Sequence, residues 1–299
     1  MISIVTPAFR EAENLPALYP RLAAALADRE WEWIVVDDHS PDATFAVISD
    51  LARSNPRVRG VRLARNTGSH AAILCGIELS RGRAVAVLSA DLEDPPEVLA
   101  PLIEQWQQGW QVVWAVRARS RGASSRLFQV TMRRLTGIDL PSTGADCFLA
   151  DRAVIDALLR FSERHNNLFV LLAWMGFRQT SIVYEKGERA SGRSGWTMNK
   201  KVDLLLDSVS AFSYKPIRWM SILGAITALA GFGWALEVIV NALRGHPPAV
   251  FSSVIVAVLL IGGIQMLMMG ALGEYLWRAL DESRRRPRFL IEESTHEQR

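Results

Sequence analysis

The sequence has no G-x-x-x-x-G-K-[ST], and no G-x-G-x-x-G follows its first strand-like run. These absences remove the simplest P-loop and dinucleotide readings. It has only two cysteines, Cys75 and Cys147, far apart and without ligand-type spacing. They read as reduced, buried thiols of a cytosol-facing domain. The opening "MISIVTPAF" has neither a basic n-region nor a long apolar stretch, so no signal peptide is expected. No acid occurs from Gln105 to Ile138, yet Arg117, Arg119, Arg121, Arg126, Arg133 and Arg134 all fall there. Such a run is either a solvated face or an anion site. The net charge of +3 is too small to argue for nucleic acid, and no internal repeat or low-complexity tract stands out.

What is present is a chain of 299 residues, 49% hydrophobic, long enough for one large domain or two modest ones. Over the first 150 or so residues, short β-branched runs alternate with longer amphipathic ones. "ISIVTPA", "WEWIVVDD", "VRGVRLA", "AVAVLSAD" and "QVVWAV" read as strands. Stretches beginning near Glu11, Pro41, Gly68, Pro95 and Ser124 read as helices. Continuous apolar strands separated by helices predict an α/β domain with a mostly parallel sheet covered on both faces. Ligands of such sheets bind beyond the carboxyl ends of the strands. Pro7 to Glu11, Asp37 and Asp38, Asp91 to Asp94, and Arg117 all follow apolar runs directly. A second segment, Asp151 to Phe177, reads as helical and precedes the strand "RQTSIVYE".

The other end of the chain has a different character. Trp219 to Leu236 and Pro247 to Gly273 are each uncharged, and each is long enough for the roughly 30 Å hydrocarbon core of a bilayer. Lys215 and Arg218 precede the pair, Arg278, Arg284, Arg285, Arg286 and Arg288 follow it, and only Arg244 lies between. The positive-inside rule then places both termini in the cytoplasm. From Lys200, apolar residues Val202, Leu205, Leu206, Val209 and Phe212 recur at helical spacing, which suits an interfacial helix or packing under the preceding domain. The expected organisation is residues 1–198 as the α/β domain, 199–216 as the juxtamembrane helix, 217–276 as a transmembrane hairpin and 277–299 as a basic tail.

The stretch "VLSADLEDPPEVL" puts three acids where an apolar strand ends. Asp91 and Glu93, two apart, can aim their oxygens at one hard cation such as Mg²⁺ or Mn²⁺. Asp94, just before Pro95-Pro96, is placed as the N-cap of the next helix. Spacing alone leaves a metal site and plain capping equally open.

"IVTPAFREAENL", "IVVDDHSPDAT", "RNTGSHAAILCGIELSRG" and "SADLEDPPE", in this order, resemble the family 2 glycosyltransferases of GT-A (Rossmann-like) fold. The nearest branch is the polyprenyl-phosphate glycosyltransferases akin to dolichol-phosphate mannose synthase and bactoprenol-phosphate glucosyltransferases. "TGADCFLADRAV", "ERHNNLFVLLAWMGF" and "ERASGRSGWT" are similar to later motifs of that branch, and two C-terminal spans suit it. The resemblance implies that Pro7, Ala8, Phe9, Glu11, Val36, Asp38, Ser89 and Ala90 contact the nucleotide. Asp91 and Glu93 would hold the cation. Phe9 stands where Tyr is usual, Arg10 where Asn is, Glu93 where Gln is common, and Ser89 where the first Asp of a D-x-D often lies.

The implied reaction is inverting transfer from a nucleotide-sugar, UDP-linked by the bacterial look of the match, to a polyprenyl (undecaprenyl) phosphate. It would occur on the cytoplasmic face of a bacterial inner membrane and supply a lipid-linked sugar for envelope glycans. The acceptor phosphate has a second pKa of about 6 and is already an anionic nucleophile near neutral pH. Positive charge that positions it therefore matters more than a strong base. Arg117, Arg126 and Arg193 match basic positions of the family, and Asp146 matches an acid near the reacting centre. Gly195 replaces the family's Lys. The expected partners are donor, acceptor and membrane lipid, with a homo-oligomer left open. A silent membrane scaffold and a processive polysaccharide synthase are the rival readings. The latter lacks its Q-x-x-R-W motif here.

Overall fold

A computed structural model describes residues 1–118, 133–134, 137, 145–161, 167–185, 215–244, 251–284 and 286–296. Packing divides the chain into two units, Met1–Ser208 with Arg286–Arg299, and Val209–Arg285.

In the first unit the apolar runs become strands β1 (Ile2–Ala8), β2 (Trp31–Asp37), β3 (Val58–Leu63) and β4 (Ala84–Val87). They are joined by helices α1 (Leu15–Ala25), α2 (Thr44–Ser54) and α3 (Ser69–Leu79). A short 3₁₀ turn at Pro96–Val98 leads into α4 (Leu99–Gln107), and β5 (Val112–Arg117) follows. Then come β6 (Ala145–Asp151), α5 (Arg152–Leu159), α6 (Leu168–Trp174) and β7 (Gln179–Tyr184). A last strand, β8 (Ile291–Ser294), comes from the C-terminal segment. Among the described residues these eight strands form one sheet of order β7-β5-β6-β4-β1-β2-β3-β8. β6 and β8 run antiparallel to their neighbours, and the other pairings are parallel. The fold is thus α/β with a mostly parallel sheet, as expected.

Strand alternation explains the two covered faces. Ile4, Trp33 and Val35 pack in one core with Leu15, Leu18 and Leu22 of α1 and Leu99, Leu102 and Ile103 of α4. The buried Trp33 indole donates to Thr6 Oγ1 (2.9 Å), so its one polar atom is satisfied. On the opposite face α3 lies so close that a Cβ on Gly76 would come 2.3 Å from Val5 Cγ1. Only glycine permits that approach. Beside it Trp114, Phe148 and Phe169 form an aromatic cluster with His70.

Two strands depart from the sequence reading. "ADCFLAD", which carries no strand signal in the sequence, is β6, wedged between β4 and β5. The basic tail contributes β8 on the far edge of the sheet. The segment from Asp151 is two helices, α5 and α6, rather than one. The helices expected from Ser124 and Lys200 lie outside the described residues.

The second unit holds α7 (Lys215–Leu243) and α8 (Phe251–Ser283), packed against each other. Leu229 and Phe232 of α7 are 72% and 77% exposed. Among the described residues, Arg218–Asn241 is the stretch long and apolar enough, by length and composition, to cross a membrane.

Candidate active site

Several of the expected residues, those of the loops after β1, β2 and β4 and at the end of β5, lie at the carboxyl edge of the sheet. Three turns leave it through non-glycine residues in the left-handed region: Arg10 after β1 (φ 61°), His39 after β2 (φ 56°) and Leu92 after β4 (φ 60°). Such conformations cost on the order of 1–3 kcal/mol each and persist where surrounding contacts over-determine them. Those contacts are visible. Arg10 N–H donates to Ser40 Oγ (3.0 Å), and Ser40 N–H donates to Asp37 Oδ1 (3.0 Å). Glu11 N–H donates to Thr44 Oγ1 (3.0 Å), while Glu11 Oε2 accepts from Asn14 Nδ2 (2.6 Å). The loops after β1 and β2 are therefore laced into one rim.

Along this rim Phe9 is exposed, with the Arg10 guanidinium over its ring at 5.3 Å from the centre. Asp38 is buried and already engaged. Its Oδ1 accepts from Thr67 N–H (2.7 Å) and Thr67 Oγ1 (3.1 Å), and its Oδ2 accepts from Gly68 N–H (2.8 Å). It anchors the N-terminus of α3 to the rim. Val36 is wholly buried, close to Gly76 of α3, so its side chain belongs to the core and only its backbone faces the edge. Ala8 and Ala90 are buried too, and Pro7 is partly accessible.

The acids after β4 divide differently from the sequence reading. Neither the 3₁₀ turn nor α4 has a side-chain cap, so Asp94 is not the N-cap it was expected to be. It is 1% exposed, accepting from the Tyr184 hydroxyl at Oδ1 and lying 3.1 Å from Ser89 Oγ at Oδ2. The reason is reach: Tyr184 on β7, 90 positions away, enters the edge beside β5 and offers a buried donor. Burial, then the negative charge of Asp94, push the Tyr184 hydroxyl well above its ordinary range, so it stays a neutral donor. Ser89 Oγ also lies 2.6 Å from Asp91 Oδ1, which accepts a further bond from Glu93 N–H (3.2 Å). A chain thus runs Tyr184–Asp94–Ser89–Asp91. Asp91 and Glu93 are both partly accessible.

Arg117 ends β5 opposite Tyr184 in the parallel register, near enough for its charge to favour ionisation of that hydroxyl. Asp146 lies in β6 where the pairing with β5 shifts register: Ala115 faces Cys147 and Val116 faces Ala145, leaving Asp146 as the extra residue. Bulges of this kind occur next to active sites, where they re-aim a residue. Arg126, Arg193 and Gly195 lie outside the described residues. Burial lifts the Cys75 thiol to about 12 and Cys147 well above the ordinary value, so neither suits nucleophilic chemistry.

Among the described residues no group of three or more His, Cys, Asp or Glu is set to hold a metal. Asp91 and Glu93 offer two carboxylates at the turn after β4. Mg²⁺ takes one or two carboxylates from the protein and completes its octahedron with phosphate oxygens and water.

The model for glycosyl transferase family 2 matches residues 3–143, which run from the second residue of β1 through β5 and take in the loops after β1, β2 and β4. The undecaprenyl-phosphate 4-deoxy-4-formamido-L-arabinose transferase of Pseudomonas aeruginosa is 36% identical over 98% of this chain and 89% of its own length. The chain belongs to glycosyltransferase family 2. The prophage bactoprenol glucosyl transferase homolog of Escherichia coli K12 is 33% identical over 97% of this chain and 98% of its own. Among solved structures, glucosyl-3-phosphoglycerate synthase from Mycobacterium tuberculosis, in complex with Mn²⁺, UDP and phosphoglyceric acid, superposes with a TM-score of 0.51. That match covers 70% of this chain and 76% of that one at 15% identity, a likeness of fold. This family 2 chain is a glycosyltransferase.

Proposed function

We propose that this glycosyltransferase moves a sugar from a nucleotide-sugar, UDP-linked, to a polyprenyl phosphate at the cytoplasmic face of a bacterial inner membrane. One observation carries this reading. Similarity to relatives named for undecaprenyl phosphate and bactoprenol runs through nearly the whole chain, so it includes the apolar helix α7 as well as the sheet. The two helices α7 and α8 are proposed as spans, with both termini inside, and the product as a lipid-linked sugar for envelope glycans.

In this reading the rim from Pro7 to Glu11, with the backbone at Ala8, Val36, Ser89 and Ala90, receives the nucleotide, Phe9 offering its ring to the base. Asp38 acts by fixing the start of α3. Asp91 and Glu93 would hold Mg²⁺ or Mn²⁺, which when bound neutralises charge building on the departing diphosphate. Ser89 keeps Asp91 oriented through its 2.6 Å hydrogen bond. Arg117, with Arg126 and Arg193, attracts and orients the acceptor phosphate, whose anionic oxygen is the nucleophile. Asp146 orients the acceptor at the bulge. A single displacement inverts the anomeric centre.

The test is incubation of the purified full chain and undecaprenyl phosphate with a panel of labelled sugar nucleotides, followed by lipid extraction. The wild type should label lipid with at least one donor, and Asp91→Ala should nearly abolish labelling while folding and inserting normally. No labelling with any donor would favour the silent scaffold. Full labelling by Asp91→Ala would remove the cation site from the turn after β4.

A further inference from the structure

The tail strand reaches the donor rim, and the geometry points to a role for it. We propose that Glu292, on β8, is a positioning residue for the loop Asp37–Ser40 and so for donor binding. This rests on the reading of that loop as part of the nucleotide site.

β8 is held on the edge by main-chain bonds. Ala64 N–H donates to the Leu290 carbonyl (2.8 Å) and Thr295 N–H donates to the Gly60 carbonyl (2.9 Å). Gly60 N–H in turn donates to Thr295 Oγ1 (2.8 Å). Further back, the Arg288 guanidinium donates to the Phe161 carbonyl. A regular antiparallel ladder would need nothing else. Instead its register shifts: Arg62 faces Glu293 and Leu63 faces Ile291, which leaves Glu292 as the extra residue. A bulge bends the strand and re-aims a side chain.

Here the side chain is brought to the loop after β2. Glu292 Oε2 lies 3.3 Å from His39 Nδ1 and 3.3 Å from Arg62 Nε. His39 Nδ1 is also 3.0 Å from the Leu63 carbonyl. Both neighbours are acceptors, so Nδ1 carries a proton and donates. Arg62 then ties the loop from below. Its Nε lies 3.7 Å from Asp37 Oδ2, and its Nη2 donates to the Ser40 carbonyl (3.3 Å). Asp37 is wholly buried, and burial raises its pKa, which the hydrogen bonds from Ser40 and then the charge of Arg62 oppose.

Glu292 thus braces His39 and Arg62 together. Between them they hold the left-handed turn that places Asp38 on Thr67 and Gly68. A strained turn at a ligand rim needs such over-determination. The brace is also continuous in the chain with α8, which ends at Ser283 shortly before β8 begins.

The experiment measures nucleotide affinity of the full detergent-solubilised chain by calorimetry, with UDP and GDP in Mg²⁺. Donor KM, kcat and melting temperature are followed alongside for Glu292→Gln, Glu292→Asp and the neighbouring Glu293→Gln. Glu292→Gln should weaken nucleotide binding and raise donor KM about threefold, the order expected for a partly exposed ion pair. Its kcat at saturating donor should stay within about twofold, the signature of lost ground-state positioning. Glu292→Asp should recover part of the affinity, and Glu293→Gln should match the wild type. Unchanged nucleotide affinity in Glu292→Gln, with or without a lowered melting temperature, would overturn the proposal and leave β8 as an edge cover. A wild type that binds neither nucleotide would overturn the donor-site reading itself, and this role with it.

Discussion

Acidification should strip stability from this protein through His70, the second residue of α3. Its ring Nδ1 accepts from Leu168 N–H (3.3 Å) at the start of α6 and meets Phe169 edge-on with centres 5.6 Å apart. Burial lowers its pKa from 6.5 to about 4. A proton on Nδ1 would remove the acceptor and place a cation at a helix N-terminus, against the macrodipole. The folded state therefore binds fewer protons than the unfolded chain between these values. The stabilisation is complete above about pH 6.5 and is lost as pH falls toward about 4. The full shift corresponds to about 3 kcal/mol, and partial solvent access to the ring reduces the expected loss to about 2 kcal/mol. Melting of the full chain should be followed from about pH 7.5 to about pH 4.5 in wild type and His70→Gln. Gln offers an acceptor to Leu168 but does not titrate. The variant should be less stable near neutrality and show a flatter decline, so that the two curves converge in acid. Parallel declines would refute the reasoning, because the acid sensitivity would then belong to carboxylates common to both. The effect should reach the donor site as well, since Gly68 N–H, two residues before His70, is bonded to Asp38.

Tyr184→Phe deletes the hydroxyl that donates to buried Asp94 and should cost about 1.5–3 kcal/mol in denaturant unfolding, as expected for a hydrogen bond to a charged group. A loss below about 0.5 kcal/mol would mean that the Tyr184–Asp94 bond carries no weight. Arg117→Gln should lower the rate of lipid glycosylation at saturating donor while leaving nucleotide affinity nearly intact. Equal losses in both would move Arg117 from the acceptor side to the donor side.

The alternation of apolar runs and helical spacing specified the parallel half of this sheet without help from the structure. β1, β2, β3, β4 and β7 lie within the stretches read as strands, and β5 runs one residue past its own, to Arg117. β1, β2 and β4 are the plainest, because a strand buried on both faces is apolar along most of its length. The acids and the arginine that follow those runs were legible for the same reason. A chain leaving a buried strand turns polar at the edge, and chemistry collects there.

Pairing was not legible, because it depends on which distant backbone lies alongside. β6 is seven residues flanked by helix signals, and its antiparallel place between β4 and β5 arises from partners elsewhere in the chain. β8, "IEES", has almost no apolar content, yet it pairs because edge strand β3 offers main-chain groups to any extended segment that arrives. The same limit applied to Asp94. Local sequence offered it the helix ahead, and the fold offered it Tyr184, buried and closer to hand. Residue types and their order thus determined which side chains stand at the carboxyl edge. Only the tertiary structure decided which of them touch, since hydrogen bonds across 90 positions and bulges at Asp146 and Glu292 follow from strand neighbours that no local pattern encodes.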